Sequence, residues 1–135
     1  MRKNAKLYSF LFVACLLGLG QAFAAWDGTS KTQPAKVGDY YIINTEAELA
    51  WYAAKGSDNA WNYTRGNAKL NANLDLGGHL WTPIAPGQGN ARYDKIFDGN
   101  GHVIKNMYIN GTELAQIDKN YAQNLGFIGT LGNAD

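Results

Sequence analysis

Lys95-Ile96-Phe97-Asp98-Gly99-Asn100-Gly101-His102-Val103-Ile104-Lys105-Asn106-Met107-Tyr108-Ile109-Asn110 sets two apolar pairs, Ile96-Phe97 and Val103-Ile104, around Asp98-Gly99-Asn100-Gly101. Asn-Gly is the dipeptide that most readily takes positive φ at two successive residues, so the backbone is predicted to reverse or bend sharply at Asn100-Gly101. After the turn, Val103, Met107 and Ile109 mix with Lys105, Asn106 and Asn110, a β-type segment with one polar side. The stretch specifies architecture and hardly any chemistry.

Outward from it, Asn67 to Leu76 alternates cleanly, with Ala68, Leu70, Ala72, Leu74 and Leu76 on one face and Lys69, Asn71, Asn73 and Asp75 on the other. That period of two predicts a strand with one buried face, ended by Gly77-Gly78. Trp81-Thr82-Pro83-Ile84 is a short apolar plug, and residues 85–94 read as a loop. On the C-terminal side, Gly111 to Gln123 is polar with a weak helical or loop pattern. Asn124 to Asn133, containing Leu125-Gly126-Phe127-Ile128-Gly129, begins another short strand.

Nearer the N-terminus, Asp39-Tyr40-Tyr41-Ile42-Ile43-Asn44 is rich in aromatic and β-branched residues and predicts a strand. Thr45-Glu46-Ala47-Glu48 then opens a helix, since Thr45 and Glu48 have the spacing of a capping box. Leu49, Tyr52 and Ala53 fall at i, i+3 and i+4 and give it a buried face. Lys55 suits its last turn and Gly56 its C-terminal cap. Residues 25–36 form an extended lead-in with Trp26 as its large apolar anchor.

Residues 1–24 read as a leader. Arg2, Lys3 and Lys6 precede the apolar run Leu7–Leu19, and Ala22-Phe23-Ala24 offers small residues for cleavage after Ala24. The run is shorter than the roughly 20 residues needed to span a bilayer, and no second one follows. Cys15 after Phe12-Val13-Ala14 is a faint echo of a lipoprotein site, but apolar Leu16-Leu17 continue past it. Of 135 residues, removing 24 leaves 111, enough for one domain. The leader takes three of the 12 basic residues, leaving nine against 11 acidic ones and a net charge of −2. That balance does not favour nucleic acid or an anionic membrane surface. Cys15 leaves with the leader, so an exported chain of this kind relies on packing rather than disulfides. Its 16 glycines and many asparagines predict frequent sharp turns between short strands.

Strand centres at 68–76, within 95–110 and near 125–131 recur at spacings compatible with the coils of a parallel β-solenoid. Phe97-Asp98-Gly99-Asn100-Gly101-His102-Val103-Ile104-Lys105-Asn106 resembles the F-D-G-N-G-H-x-I-x-N segment of secreted right-handed parallel β-helix proteins. Leu125-Gly126-Phe127-Ile128-Gly129-Thr130-Leu131-Gly132-Asn133-Ala134 looks like the start of a GLUG-type repeat of bacterial surface proteins. Thr45 to Tyr52, Leu70 to Leu76 and Trp81 to Ile84 are similar to the module that precedes such repeats. The resemblance covers most of residues 39–134. It implies a mainly β fold, an N-terminal cap with one short helix leading into the first coils of a right-handed parallel β-helix, with a β-sandwich as the alternative. The implied division is residues 1–24 as signal peptide, 25–66 as lead-in and helical cap, and 67–135 as the first coils. Because the repeat has only begun at Asp135, the expectation is the N-terminal part of a longer protein or a truncated reading frame.

Chemistry-bearing residues are sparse. His79 and His102 are the only histidines, and a zinc site without cysteine would need carboxylates from separate turns. Asp94 and Asp98 are four apart and Asp75 is one coil away, yet an Asp beside Gly ordinarily forms an Asx turn rather than a glycosidase pair. No catalytic residue, cofactor or metal is expected. The aromatic residues are the better lead, because planar rings on a wet surface stack on sugars. Trp61 and Tyr63, in a polar loop, are the candidate carbohydrate-stacking residues, whereas Trp51 and Trp81 read as plugs of the solenoid end.

The expected function is a non-catalytic, secreted or cell-surface β-helix module of an adhesin-like protein. Its expected partners are a polysaccharide or cell-surface glycan and the remainder of a longer chain, with neither nucleic acid nor a transmembrane segment. The alternatives are the leading segment of a β-helical polysaccharide-degrading enzyme and a carbohydrate-binding module.

Overall fold

The computed structural model describes residues 24–54, 66–86 and 92–132. It has mixed content, with two β-sheets, two short helices and no closed barrel among these residues. Strands β1 (Ala35–Val37) and β2 (Tyr40–Ile43) form an antiparallel hairpin. Gly38 makes its turn at φ +58°, a conformation glycine reaches without steric cost. What sequence reading treated as part of a lead-in is therefore the edge strand of a sheet.

Every later pairing among the described residues is parallel. Strand β3 (Asn67–Leu70) lies beside β2 with Tyr40 opposite Asn67 and Ile43 opposite Leu70. Strand β5 (Phe97–Asp98) lies beside β3 with Ala68 opposite Phe97. In the second sheet, β4 (Leu74–Asp75) pairs with β6 (Ile104–Lys105). Single parallel bridges continue the match at Leu80–Tyr108, Ile84–Ile128 and Tyr93–Leu131. The segment from 67 is thus laid against the segment from 96, corner by corner.

The corners follow from residue type. Asn67 to Leu76 does bury the predicted face, but it is two strands in two sheets and not one. Asn71 and Asn73 turn the chain between them, because their amides bond across to neighbouring segments in place of a continued ladder. Asn73 Oδ1 accepts from the Val103 N–H at 2.9 Å. In the next segment, Asn100 (φ +47°) and Gly101 (φ +73°) take the two successive positive values expected of Asn-Gly. The His102 N–H closes that turn on Gly99 O at 2.8 Å. The outcome is a bend from one sheet into the other, since β5 and β6 do not pair with each other.

Helix α1 (Glu46–Ala54) has its predicted capping box. Glu48 Oε2 accepts from the N–H groups of Asn44 (2.7 Å) and Thr45 (3.1 Å), and the Glu48 N–H donates to Thr45 Oγ1 at 3.3 Å. Lys55 and Gly56 lie outside the described residues. Its face of Leu49, Ala50, Tyr52 and Ala53 is buried with Ile43, Leu70, Leu74, Leu76, Trp81 and Ile84. Trp81 is 1% exposed and Ile84 is fully buried, so the apolar plug is core. Trp51 is half-buried against Tyr41, with ring centroids 5.5 Å apart.

Sequence periodicity only hinted at the second helix, α2 (Gly111–Ile117). It is held by its cap, as Asn110 Oδ1 accepts from Thr112 N at 2.9 Å and Glu113 N at 3.3 Å. Tyr108 Oη donates to Glu113 Oε1 at 2.7 Å, and Leu114 alone is buried from its length. Inserted between Tyr108 and Ile128, it lengthens the second segment relative to the first.

Candidate functional site

The polar rows along the stacked segments are the first place to look for chemistry. Lys69 Nζ pairs with Asp98 Oδ2 at 3.3 Å, and Lys105 Nζ with Asp75 Oδ2 at 3.2 Å, each pair bridging adjacent strands. The Asp75 carboxyl is held below the usual carboxylate range by the Asn106 amide first, then by the Gly77 N–H and Lys105. Asp98 is lowered chiefly by the Asn100 N–H, with Lys69 adding to it. Asp94 pairs with Lys95 at 3.2 Å. Each carboxylate is therefore engaged in its own turn or strand pair, and the three do not assemble into a facing acid–base pair.

The histidines are likewise separate. His79 packs edge-on to Trp26, centroids 5.8 Å apart, and His102 Nδ1 lies 3.4 Å from Asn73 Oδ1. No group of three or more His, Cys, Asp or Glu is placed to hold a metal among the described residues. Trp61 and Tyr63, the carbohydrate-stacking candidates, lie outside the described residues. No helix among those described is long and apolar enough to cross a membrane.

The most distinctive surface is the far edge of the stack. Ala68 N–H donates to Ile96 O at 2.8 Å, Leu74 N–H to Val103 O at 2.9 Å and Leu76 N–H to Lys105 O at 3.0 Å. In a parallel ladder alternate residues turn their backbone groups to opposite sides, so Phe97 and Ile104 direct theirs to the side where, among the described residues, neither sheet has a further strand. Leu70, Phe97, Ile104, Met107 and Phe127, together with Gly99 and His102, line a groove of about 280 Å³ beside these edges. Ile96 and Val103, which precede Phe97 and Ile104 and so turn to the other face, are 55% and 58% exposed. The rings below are interlocked, Phe97 edge-to-face on Phe127 at 5.2 Å and Phe127 stacked on Trp81 at 5.5 Å.

A largely apolar groove beside two strand edges that are unpaired among the described residues is suited to take up another strand-bearing segment. Sequence reading singled out the two stretches that supply it, Ile96–Ile104 and Leu125–Ile128. It did not show that Met107 and Phe127 meet Phe97 across the corner, because that contact depends on how the long insertion returns.

No protein-family model matches the chain, and neither a curated protein nor a solved structure matches it.

Proposed function

We propose that this chain is an exported, non-catalytic cell-surface module that forms the N-terminal cap and first coils of a right-handed parallel β-helix and serves attachment to surface glycans. The observation that carries this reading is the parallel match of residues 67–84 and Tyr93 with residues 96–131, through two sheets and then single bridges. A β-sandwich is built from antiparallel pairs, and among the described residues such pairing is confined to β1–β2. Helix α1 covers the first coil and the β5–β6 edge receives a further coil. Parallel neighbours joined through a crossover wind right-handed in nearly all proteins, which sets the hand.

Two measurements test the reading. The full chain, expressed in a bacterium with a C-terminal epitope tag, is expected outside the cytoplasm with a mass that begins at Ala25, retained on the cell surface or on insoluble polysaccharide. An unprocessed cytoplasmic chain overturns the export reading, and a processed chain retained on neither overturns attachment. Amide hydrogen exchange tests the coil arrangement. Slow exchange is expected at Ala68, Leu74, Leu76 and Trp81, and fast exchange at Phe97 and Ile104. Uniform protection of both sets contradicts an open edge.

A further inference from the structure

A second cleft, of about 400 Å³, lies away from that edge. One wall is the small-residue face of α1, where Ala50, Ala53 and Ala54 recur at i, i+3 and i+4. Trp81 closes it below and Ile117 of α2, 63% exposed, overhangs it. Alanine at these helical positions leaves open the volume that a longer side chain would occupy.

The opposite wall is the segment Trp26–Lys31, whose path is fixed at several points. Trp26 Nε1 donates to Ser30 O at 2.9 Å, and the Thr32 N–H donates to Ala47 O of α1 at 3.1 Å. Gly28 sits at φ +79° with the His79 ring where a Cβ would fall, 2.8 Å from its Cγ, so the segment passes close over His79. Thr29 and Lys31 line the cleft together with Thr82 and Tyr121. Lys31 is the only charged side chain lining the cleft among the described residues, and it makes no ion pair there. The nearby Asp27 carboxylate is committed to Ser30 and Thr29.

We propose that this cleft binds a small amphiphile with an aliphatic body of medium length and one anionic group, such as a medium-chain carboxylate. The body lies against Ala54, Leu80 and Ile117, and the carboxylate meets Lys31 Nζ and the Thr29 hydroxyl. The volume falls at the lower end of the roughly 300–1,000 Å³ of small-molecule pockets, which suits one short chain and not a two-chain lipid. A sugar fits less well. Its stacking needs an open ring face, and Trp26 and Trp81 are 9% and 1% exposed.

Calorimetric titration of the full chain with octanoate, decanoate and dodecanoate, each below its micelle concentration, tests the site. One saturable site per chain is expected, with affinity rising about fourfold per added methylene until the cleft is filled. Lys31→Gln, at an exposed position that leaves the melting temperature unchanged, is expected to weaken decanoate about tenfold. Decyltrimethylammonium, with the same body and the opposite charge, is expected to bind at least as weakly as decanoate does to that variant. The absence of saturable binding overturns the proposal. So does an affinity indifferent to chain length, to Lys31→Gln or to the sign of the head group.

Discussion

The Asn71 side chain donates through Nδ2 to Asn44 Oδ1 at 2.8 Å, although 27 residues separate the two. Strand register makes the contact possible, since Ile43 opposite Leu70 brings the following residues, Asn44 and Asn71, to the same corner. The Asn71 N–H also donates to Ile43 O at 2.8 Å. One segment later, Asn100 reaches back through Nδ2 to Leu70 O at 3.1 Å. The three amides mark the same corner in successive segments, each tied to the one before it.

Asn71→Ala is therefore expected to destabilise the fold by about 0.5–1.5 kcal/mol, the net worth of one hydrogen bond between groups that water can still reach. Urea denaturation of the single variants and of Asn44→Ala/Asn71→Ala measures the coupling. A term of about 0.5–1 kcal/mol between the two sites is expected. Strict additivity would mean that the amides are bystanders to the stacking.

The bend at Asn100-Gly101 gives a test on backbone geometry alone. Gly101 (φ +73°) has nothing within 4 Å of where a Cβ would stand, so Gly101→Ala adds strain without a clash. The left-handed conformation costs a non-glycine residue about 1–2 kcal/mol, and that is the expected loss in urea. Asn100→Gly keeps the conformation and removes only the bond to Leu70 O, so it should cost less than Gly101→Ala. The reverse order would show that the side-chain bond, and not the backbone, sets the corner.

How much of this was legible depends on the range over which each feature acts. The Thr45–Glu48 capping box, the positive φ at Asn100-Gly101 and the buried alternation from Ala68 to Leu76 are local, and the residues announced all three. The break at Asn71–Asn73 was not legible. Alternation continues through it, and only the bonds to Ile43, Asn44 and Val103 show that the chain turns there. Helix α2 was only hinted at by the weak helical or loop pattern of Gly111 to Gln123, because a single buried residue, Leu114, carries no periodicity. The edge groove was half legible. Phe97 and Phe127 stand out as apolar residues, but their contact is a property of the folded insertion between them. The carbohydrate candidates Trp61 and Tyr63 fall outside the described residues.

Two glycines separate close packing from mere turn formation. A Cβ on Gly129 would lie 2.7 Å from Ala85 O and 2.9 Å from the Pro86 Cα, both backbone atoms. Gly129 N–H donates to Ile84 O at 2.8 Å, so displacing it would open the bridge between Ile84 and Ile128. Gly129→Ala is expected to cost about 1–3 kcal/mol, the range for overpacking a close contact. Gly99→Ala has nothing within 4 Å and should stay within about 0.5 kcal/mol, the usual span for a surface change. Thermal melts of the two variants side by side make the comparison. Equal losses would deny that the return of the chain at Gly129 is a tight contact.

Acid should unfold the protein through its turn carboxylates. Asp27 is held well below the usual carboxylate range by the Ser30 hydroxyl first, then by the Ser30 and Thr29 N–H groups. Asp75 and Asp98 are lowered as well. A carboxylate whose folded pKa is depressed leaves the unfolded chain binding more protons in the acid range, so stability rises with pH there. Its contribution is complete above the unfolded value of about 4 and is lost as pH falls from there toward the folded value. Urea midpoints recorded from pH 6 to pH 2 are expected to fall below pH 4. Asp27→Asn should be less stable than the native chain at pH 6, and the gap should narrow as pH falls from 4 toward 2. Parallel curves would remove Asp27 from the account. Salt separates the causes further, since hydrogen bonds dominate at Asp27 while Lys105 and Lys69 contribute at Asp75 and Asp98. Adding salt should therefore weaken the acid sensitivity of the latter pair and leave that of Asp27 in place.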